Sequence, residues 1–367
     1  MGILYLRVWL SWKPKIMEFL SNENLMLSYR QAKKSRKDKQ EVYIWDLHFE
    51  ENILKLKSDL ELWIYEHSEY KNIILFDSKK RYISSPKFRD HIVHHMVHNI
   101  IYWVFNKILI DTTYACRKWY GSHKAVHHLK EICKKFTYNT DSYYLKMDIS
   151  KYFYSVNHTI LKQIIFKRIK NNHLRFIIEI IIDSYRTKNQ FDHLFSPDSK
   201  YIKNKKKWLP IWSIISQLFA NVYLSQLDAF IKHDLKIKYY LRYMDDLLLI
   251  WDKNTLQNAK TQIIDFVYNH LDLTINPKKN SFNRVSDGVK FVWYRVYKEK
   301  IYVGKNTKIK TNKFLDNIQN MNWELFSQKD MKKIESSLNS RLWVFKQSDF
   351  KLNYFKKRGN IDIPSWG

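Results

Sequence analysis

Residues 239–250 read Tyr239-Tyr-Leu-Arg-Tyr-Met-Asp-Asp-Leu-Leu-Leu-Ile250. Two apolar runs, 237–243 and 247–251, flank Met244-Asp245-Asp246, so the stretch reads as a β-hairpin with an acidic pair at its tip. Burying unpaired charge is costly, and a hairpin core has no structural need for two adjacent acids. An ordinary turn, where Asp is common, is the plain reading of a lone pair. A third acid shifts the balance. Residues 143–148, Tyr143-Tyr-Leu-Lys-Met-Asp148, form a short strand that ends on an aspartate. If a neighbouring strand sets Asp148 beside the tip, the three carboxylates make a divalent-cation site. Hard oxygen ligands suit Mg2+, which also takes substrate phosphates. Two such ions about 4 Å apart would stabilise the attacking and the leaving oxygen of a phosphoryl transfer.

Composition narrows what surrounds this hairpin. The chain has 367 residues, with 64 Lys and Arg against 36 Asp and Glu, a formal net charge of +28. Such an excess favours a polyanionic partner. Hydrophobic residues make up 45%, enough for a sizeable core and too many for a disordered basic tail. Two cysteines, Cys116 and Cys133, exclude a disulfide framework and fit a reducing compartment. No run approaches the roughly 18 apolar residues that span a membrane. The N-terminal run Ile3–Leu10 contains Arg7 and lacks a small-residue cleavage site, so a cytoplasmic location is expected. The positive charge is spread along the chain, which speaks against a membrane-surface helix. One imbalance stands out: 6 Gly against 13 Trp.

Periodicity supplies the rest of the organisation. Residues 20–60 read as helical, 70–84 as a hairpin turning at 77–80, and 89–104 as a helix. Helices follow the 143–148 strand at about 158–170 and 174–186, then a lysine-rich loop at 187–207 and a helix at 213–234. A helix at 255–270, two strands within 289–303 and basic helices over 308–357 complete the chain. Helices mixed with short antiparallel strands make the class α+β.

The motifs carry a resemblance. Tyr243-Met-Asp-Asp246 resembles the signature of reverse transcriptases, and Lys146-Met-Asp-Ile-Ser-Lys-Tyr-Phe-Tyr-Ser-Val-Asn-His158 resembles their first aspartate motif. Residues 208–232, with Ser216-Gln217, are similar to the reverse transcriptases of diversity-generating retroelements, where retron and group II intron enzymes usually carry Ser-Pro. Tyr114–Val126, Pro277-Lys-Lys279 and Val285–Tyr294 match the same family. The resemblance covers about residues 20–357. It implies a right-hand polymerase, with residues 1–19 an unmatched extension (Met17 being an alternative start), 20–304 fingers and palm, and 305–367 a basic helical thumb.

The resemblance also assigns roles. Asp148 and Asp245 would hold two Mg2+ ions, with the Ile149 carbonyl as an extra ligand and Asp246 as the third catalytic carboxylate. Phe153 would lie under the sugar and clash with a 2′-hydroxyl, selecting deoxynucleotides; a core aromatic is the alternative. Lys79, Lys80 and Arg81 would grip the triphosphate, as the planar Arg fork suits phosphate, unless the turn is simply solvated. Arg89 would support that hairpin. Ile211 replaces a polar contact to the nucleotide, which in this family goes with misincorporation opposite template adenines. Gln217 would lie near the templating base. Lys278 or Lys279 would protonate pyrophosphate or contact phosphate. Phe291, Trp293 and Tyr294 fall in the primer grip. The implied function is RNA-directed DNA synthesis giving error-prone cDNA from a template-repeat RNA. The implied partners are template RNA, a cDNA/primer duplex, dNTPs and a small basic accessory variability protein. The alternatives are a retron or defence reverse transcriptase and a catalytically silent RNA-binding scaffold.

Two features stand apart. His91, His94, His95 and His98 share one helix face, as a metal site or as a packed or RNA-facing helix. Trp119, Trp208, Trp212, Trp293, Trp343 and Trp63 stand where the family pattern has Gly. The economical reading is that UGA codons for glycine are translated here as tryptophan.

Overall fold

Apolar residues at helical spacing and alternating short runs give the chain its elements in this order. The computed structural model describes residues 19–34, 36, 39–76, 80–136, 142–185, 207–211, 213–321 and 326–349. The elements are α1 (Asn22–Lys34), α2 (Gln40–Leu47), α3 (Phe49–Glu61), β1 (Lys71–Phe76), β2 (Lys80–Ser85), α4 (Phe88–Asn106) and α5 (Ser122–Lys135). Then come β3 (Ser142–Asp148), α6 (Tyr152–Ser155), α7 (His158–Phe166), α8 (Asn172–Asp183) and α9 (Ile214–Ala229), which runs into a π-helical turn at Phe230–Asp234. The remainder is β4 (Tyr239–Tyr243), β5 (Asp246–Asp252), α10 (Lys253–Asn269), β6 (Ser281–Arg284), β7 (Val289–Phe291), β8 (Tyr294–Val296), β9 (Ile301–Val303), α11 (Lys305–Gln319) and α12 (Gln328–Lys346). The class is α+β, as expected. Helix starts follow local chemistry: the Asn157 side chain accepts from the Thr159 N–H, Asn171 from Leu174, and Ser327 from Asp330. The expected unmatched extension lies almost wholly outside the described residues, as do Lys79, Trp212, most of the 187–207 loop and the chain beyond 349.

The chain forms two compact units, each assembled from three segments. The first comprises Met1–Asp111, Ile149–Lys236 and Gln262–Asn276. Its helices α1 and α9 pack on α4, and α9 also packs on α7. The Tyr152 hydroxyl donates to the Ala220 carbonyl at 2.5 Å and Tyr223 to Leu271 at 2.6 Å, so buried phenols tie α9 to its neighbours. β1 and β2 form the expected hairpin, in register from Lys71 opposite Ser85 to Phe76 opposite Lys80.

The second unit comprises Thr112–Asp148, Ile237–Thr261 and Pro277–Gly367. It holds an antiparallel sheet in the order β4-β5-β3-β6 and a three-stranded meander β7-β8-β9. Helix α5 packs on both, its Ala125, Leu129 and Ile132 meeting Leu241, Leu248, Ile250, Phe291 and Tyr294 in one core. Each leucine, isoleucine or phenylalanine among them contributes about 1.5–3 kcal/mol on burial. Helix α5, β6 and a third strand in the 289–303 region have no counterpart in the periodicity reading.

Backbone strain falls in part at tryptophan. Nine described non-glycine residues have positive φ, and three are Trp63 (φ 62), Trp119 (φ 67) and Trp208 (φ 110). Trp63 sits just past the α3 terminus, where its N–H donates to Leu60 and the Ile64 N–H to Asp59. That double bond is the Schellman closure, whose left-handed residue is usually Gly. Trp119 is the third residue of a turn closed by the Tyr120 N–H on the Arg117 carbonyl, the place where positive φ calls for Gly. A φ of 110 at Trp208 lies in territory that side chains avoid.

Candidate active site

The site is built on β3, β4 and β5 of the second unit. β3 pairs with β5 from Ser142 opposite Asp252 to Asp148 opposite Asp246. The register therefore sets one carboxylate of the hairpin directly across from the aspartate that ends β3. β4 pairs with β5 up to Tyr243 opposite Asp246, which leaves Met244-Asp245 as a two-residue loop with Met244 at φ 55. Two-residue loops with a left-handed first residue match the twist of the strands they join. Leu247–Ile250 are fully buried, so the acids of β5 stand at its two ends, Asp246 at the tip and Asp252 at the other.

Arg242 holds that tip from below. It is fully buried, and its Nη1 donates to the Met244 carbonyl at 3.0 Å. Its backbone is fixed by the Thr112 carbonyl at 2.9 Å and by the Tyr114 N–H at 3.0 Å. Two lysines reach the carboxylates. Lys279 Nζ lies 2.8 and 2.7 Å from the two oxygens of Asp148, and Lys146 Nζ lies 3.3 Å from Asp246 Oδ2. Lys146 is two residues before Asp148 on β3, hence on the same sheet face.

Burial, then the charges of Asp148 and Asp246, push the Asp245 carboxyl up to about 7. Burial also raises Asp246, with Lys146 pulling the other way. Three acids thus crowd one another, a condition that a hard cation relieves. Among the described residues no three His, Cys, Asp or Glu side chains stand grouped as a ready metal cage. Lys279 takes both Asp148 oxygens instead. The donor chemistry of Asp148, Asp245 and Asp246 suits a divalent cation, and Lys279 supplies the positive charge in this arrangement.

The other expected residues fall as follows. Ile149 is buried and bridges to Ile275 in the first unit. Phe153, on α6, accepts the Leu209 N–H at 2.7 Å through its carbonyl, and Val156 accepts the Trp208 N–H at 3.0 Å. These bonds bring Phe153 beside the 208–211 segment that carries Ile211. Gln217 lies in the first turn of α9, its N–H on the Ser213 carbonyl at 3.2 Å. Lys80 and Arg81 begin β2 opposite Phe76 and Leu75, with side chains outside the described set, and Lys79 lies outside it altogether. Arg89 donates to Asp59 at 2.6 Å and to the Glu66 carbonyl at 2.9 Å, so it secures α4 to α3. In the second unit Phe291 and Tyr294 are core residues, Tyr294 donating to the Val344 carbonyl at 3.1 Å. Trp293 is half-exposed beside Tyr243. The Gly304 N–H reaches the Trp293 carbonyl at 2.6 Å, and a side chain at 304 would collide with that oxygen.

Sequence reading missed Lys146 and Arg242. A lone arginine in the apolar run 239–243 was the available signal for the second. His91, His94 and His95 of the row are buried in the first unit, which fits a packed helix.

Asp148 and Asp246 thus face each other on adjacent antiparallel strands, beside Asp245, in a chain of +28. Residues 71–296 match the family described as reverse transcriptase (RNA-dependent DNA polymerase), and the chain belongs to that family. Its fold is accordingly that of a right-hand polymerase. Solved structures similar to it include an apo telomerase from Candida tropicalis truncated of its C-terminal domain, at 14% identity and TM-score 0.48, covering 70% of this chain and 60% of that one. The apo telomerase of the same organism aligns at 13% identity and TM-score 0.46, covering 65% of this chain and 48% of that one. The chain thus spans about half to three fifths of these structures. None of the curated proteins matches. Among the described residues no helix is long and apolar enough to cross a membrane.

Proposed function

We propose that the protein copies RNA into DNA, joining a primer 3′-hydroxyl to an incoming dNTP. The observation that carries this reading is Asp148 opposite Asp246, beside Asp245, within the family-matched region. In this reading Asp148, Asp245 and the Ile149 carbonyl hold Mg2+, with Asp246 as the third carboxylate. Two bound ions would lower the charge on the reacting oxygens. Lys279 would release Asp148 and turn to the pyrophosphate. Phe153 would exclude ribonucleotides, and Lys79, Lys80 and Arg81 would grip the triphosphate. Ile211 and Gln217 would face the nucleotide and template. Phe291 and Tyr294 would anchor a primer grip that presents Trp293, and residues 305–367 would act as the thumb on the duplex. Asp245→Asn should abolish extension of a primed RNA template while leaving RNA affinity within about twofold, since only the metal-dependent step is removed. Extension that survives this change would refute the role of Asp245, and an unmodified chain that extends no primer would refute the polymerase reading.

Within that class we favour an error-prone, cytoplasmic enzyme of a diversity-generating retroelement, working with a small basic accessory protein. Ser216-Gln217 and the apolar Ile211 support it. The expected result is misincorporation concentrated at template adenines; uniform errors would count against it. A retron or defence enzyme would lack a neighbouring template repeat and variable repeat.

The native residues at 63, 119, 208, 212, 293 and 343 are, in this reading, glycines. At 63, 119 and 208 the local backbone supports it without reference to any family, because each occupies a glycine conformation, whereas 293 and 343 do not. UGG codons at these positions would sink the idea.

A further inference from the structure

The first unit contains a buried hydrogen-bond relay outside the acidic site. His67 Nδ1 lies 2.6 Å from the Ser68 carbonyl, which can only accept, so Nδ1 carries a hydrogen. In the neutral ring, His67 Nε2 is then an acceptor. It lies 3.1 Å from His94 Nε2, which must donate. His94 Nδ1 is left as an acceptor, 2.9 Å from the Ser213 hydroxyl, which donates to it. The direction of every bond from Ser68 to Ser213 is thereby set. Asp90 fixes the far end, accepting from the Ser68 N–H at 3.2 Å and the Tyr65 hydroxyl at 2.8 Å. His94 and Ser213 are fully buried, so neither has water as a substitute partner.

Ser213 is the N-cap of α9, and its carbonyl holds the Gln217 N–H. In sequence it lies two residues after Ile211. An added proton has one outcome wherever it lands. On His94, Nδ1 becomes a donor. On His67, Nε2 becomes a donor, and His94 must shift its own hydrogen to Nδ1. Either way Ser213 changes from donor to acceptor.

We infer that His67 and His94 are positioning residues that hold Ser213, and through it Ile211 and Gln217, in the arrangement that receives the nucleotide. The inference rests on the proposed polymerase reading, which alone sets a nucleotide against 211 and 217. The groups facing the pair are His91, His95, Arg36, Arg89, Asp90 and, stacked on His67, Tyr70. Burial lowers both imidazoles; at His67 Asp90 and the Ser68 carbonyl oppose it, and at His94 the neighbouring imidazoles and Arg36 add to it.

The test is primer extension by the full chain and two variants. Ser213→Ala should raise KM for dNTP about five- to tenfold, with kcat and template–primer affinity within about twofold, the loss of one buried hydrogen bond. Ser213→Thr keeps the hydroxyl and should restore KM. Acidification should raise KM more in the unmodified chain than in Ser213→Ala, where only the titration of Asp245 remains. An unchanged KM in Ser213→Ala, or a loss that threonine does not restore, overturns the inference. If the unmodified chain does not extend primers, the polymerase reading fails instead. Imidazole nitrogen NMR then still decides the relay: Nδ1–H on His67 with Nε2–H on His94 is expected at neutral pH, and any other pattern overturns it.

Discussion

A side chain at positive φ costs about 1–2 kcal/mol unless its contacts return it. Trp119 has φ 67 and is 89% exposed, so its indole returns almost nothing. Trp119→Gly should therefore raise stability by about 1 kcal/mol, read as a higher urea midpoint. Trp103 provides the contrast. It lies inside α4, and glycine there should lower stability by roughly 0.5 kcal/mol through helix propensity alone, read as a lower midpoint. Trp208 is a harder case, because its ring is enclosed by Tyr154 and Tyr185. Removing it relieves the backbone and empties a filled space at once. Equal destabilisation by glycine at 119 and 103 would show that position 119 has no preference for glycine.

Elements differ in how openly the sequence announces them. The β4–β5 hairpin was legible because apolar runs flank an acidic tip, and the β1–β2 hairpin because strands alternate about a polar turn. Asp148, Asp245 and Asp246 were legible for the same reason. Their pairing register was not, since no local pattern says which residue of β3 faces which of β5. β6 was hidden by its polar composition, Ser-Phe-Asn-Arg, which an edge strand tolerates. Lys146 and Arg242 were hidden because lysine and arginine in a basic chain carry little information. The histidines of α4 were visible as a row, but only packing reveals that His91, His94 and His95 are buried. Burial, then neighbouring positive charge, lowers His91 to about 3; burial, then Arg36, lowers His95 to about 4. Unfolded histidine titrates near 6.5, so the unfolded chain binds more protons below that pH. Stability should be full above about pH 6.5 and fall towards pH 4, by an amount on the order of 3 kcal/mol for His95 alone. Urea midpoints across this range check it, and His95→Gln should flatten the slope.

At the scale of the molecule the charge of +28 becomes a statement about nucleic acid. Affinity for a primed RNA template should fall steeply with salt, by roughly 0.7–0.9 in log–log slope for each phosphate neutralised. Changing Lys305, Lys308, Lys310 and Lys313 of α11 to Gln should lower that slope by up to about 3, if the helix lies along the duplex. A slope that does not move would remove α11 from the interface.

The two units are threaded through one another in sequence, three segments each. That threading has a consequence for synthesis on the ribosome. The first unit lacks its last segment until Asn276 has emerged, and by then two of the three segments of the second are already made. Domain-by-domain folding from the N-terminus is closed to such a chain. Each unit must wait with apolar faces uncovered while parts of the other pass by, and no single cut in the polypeptide can release either one whole.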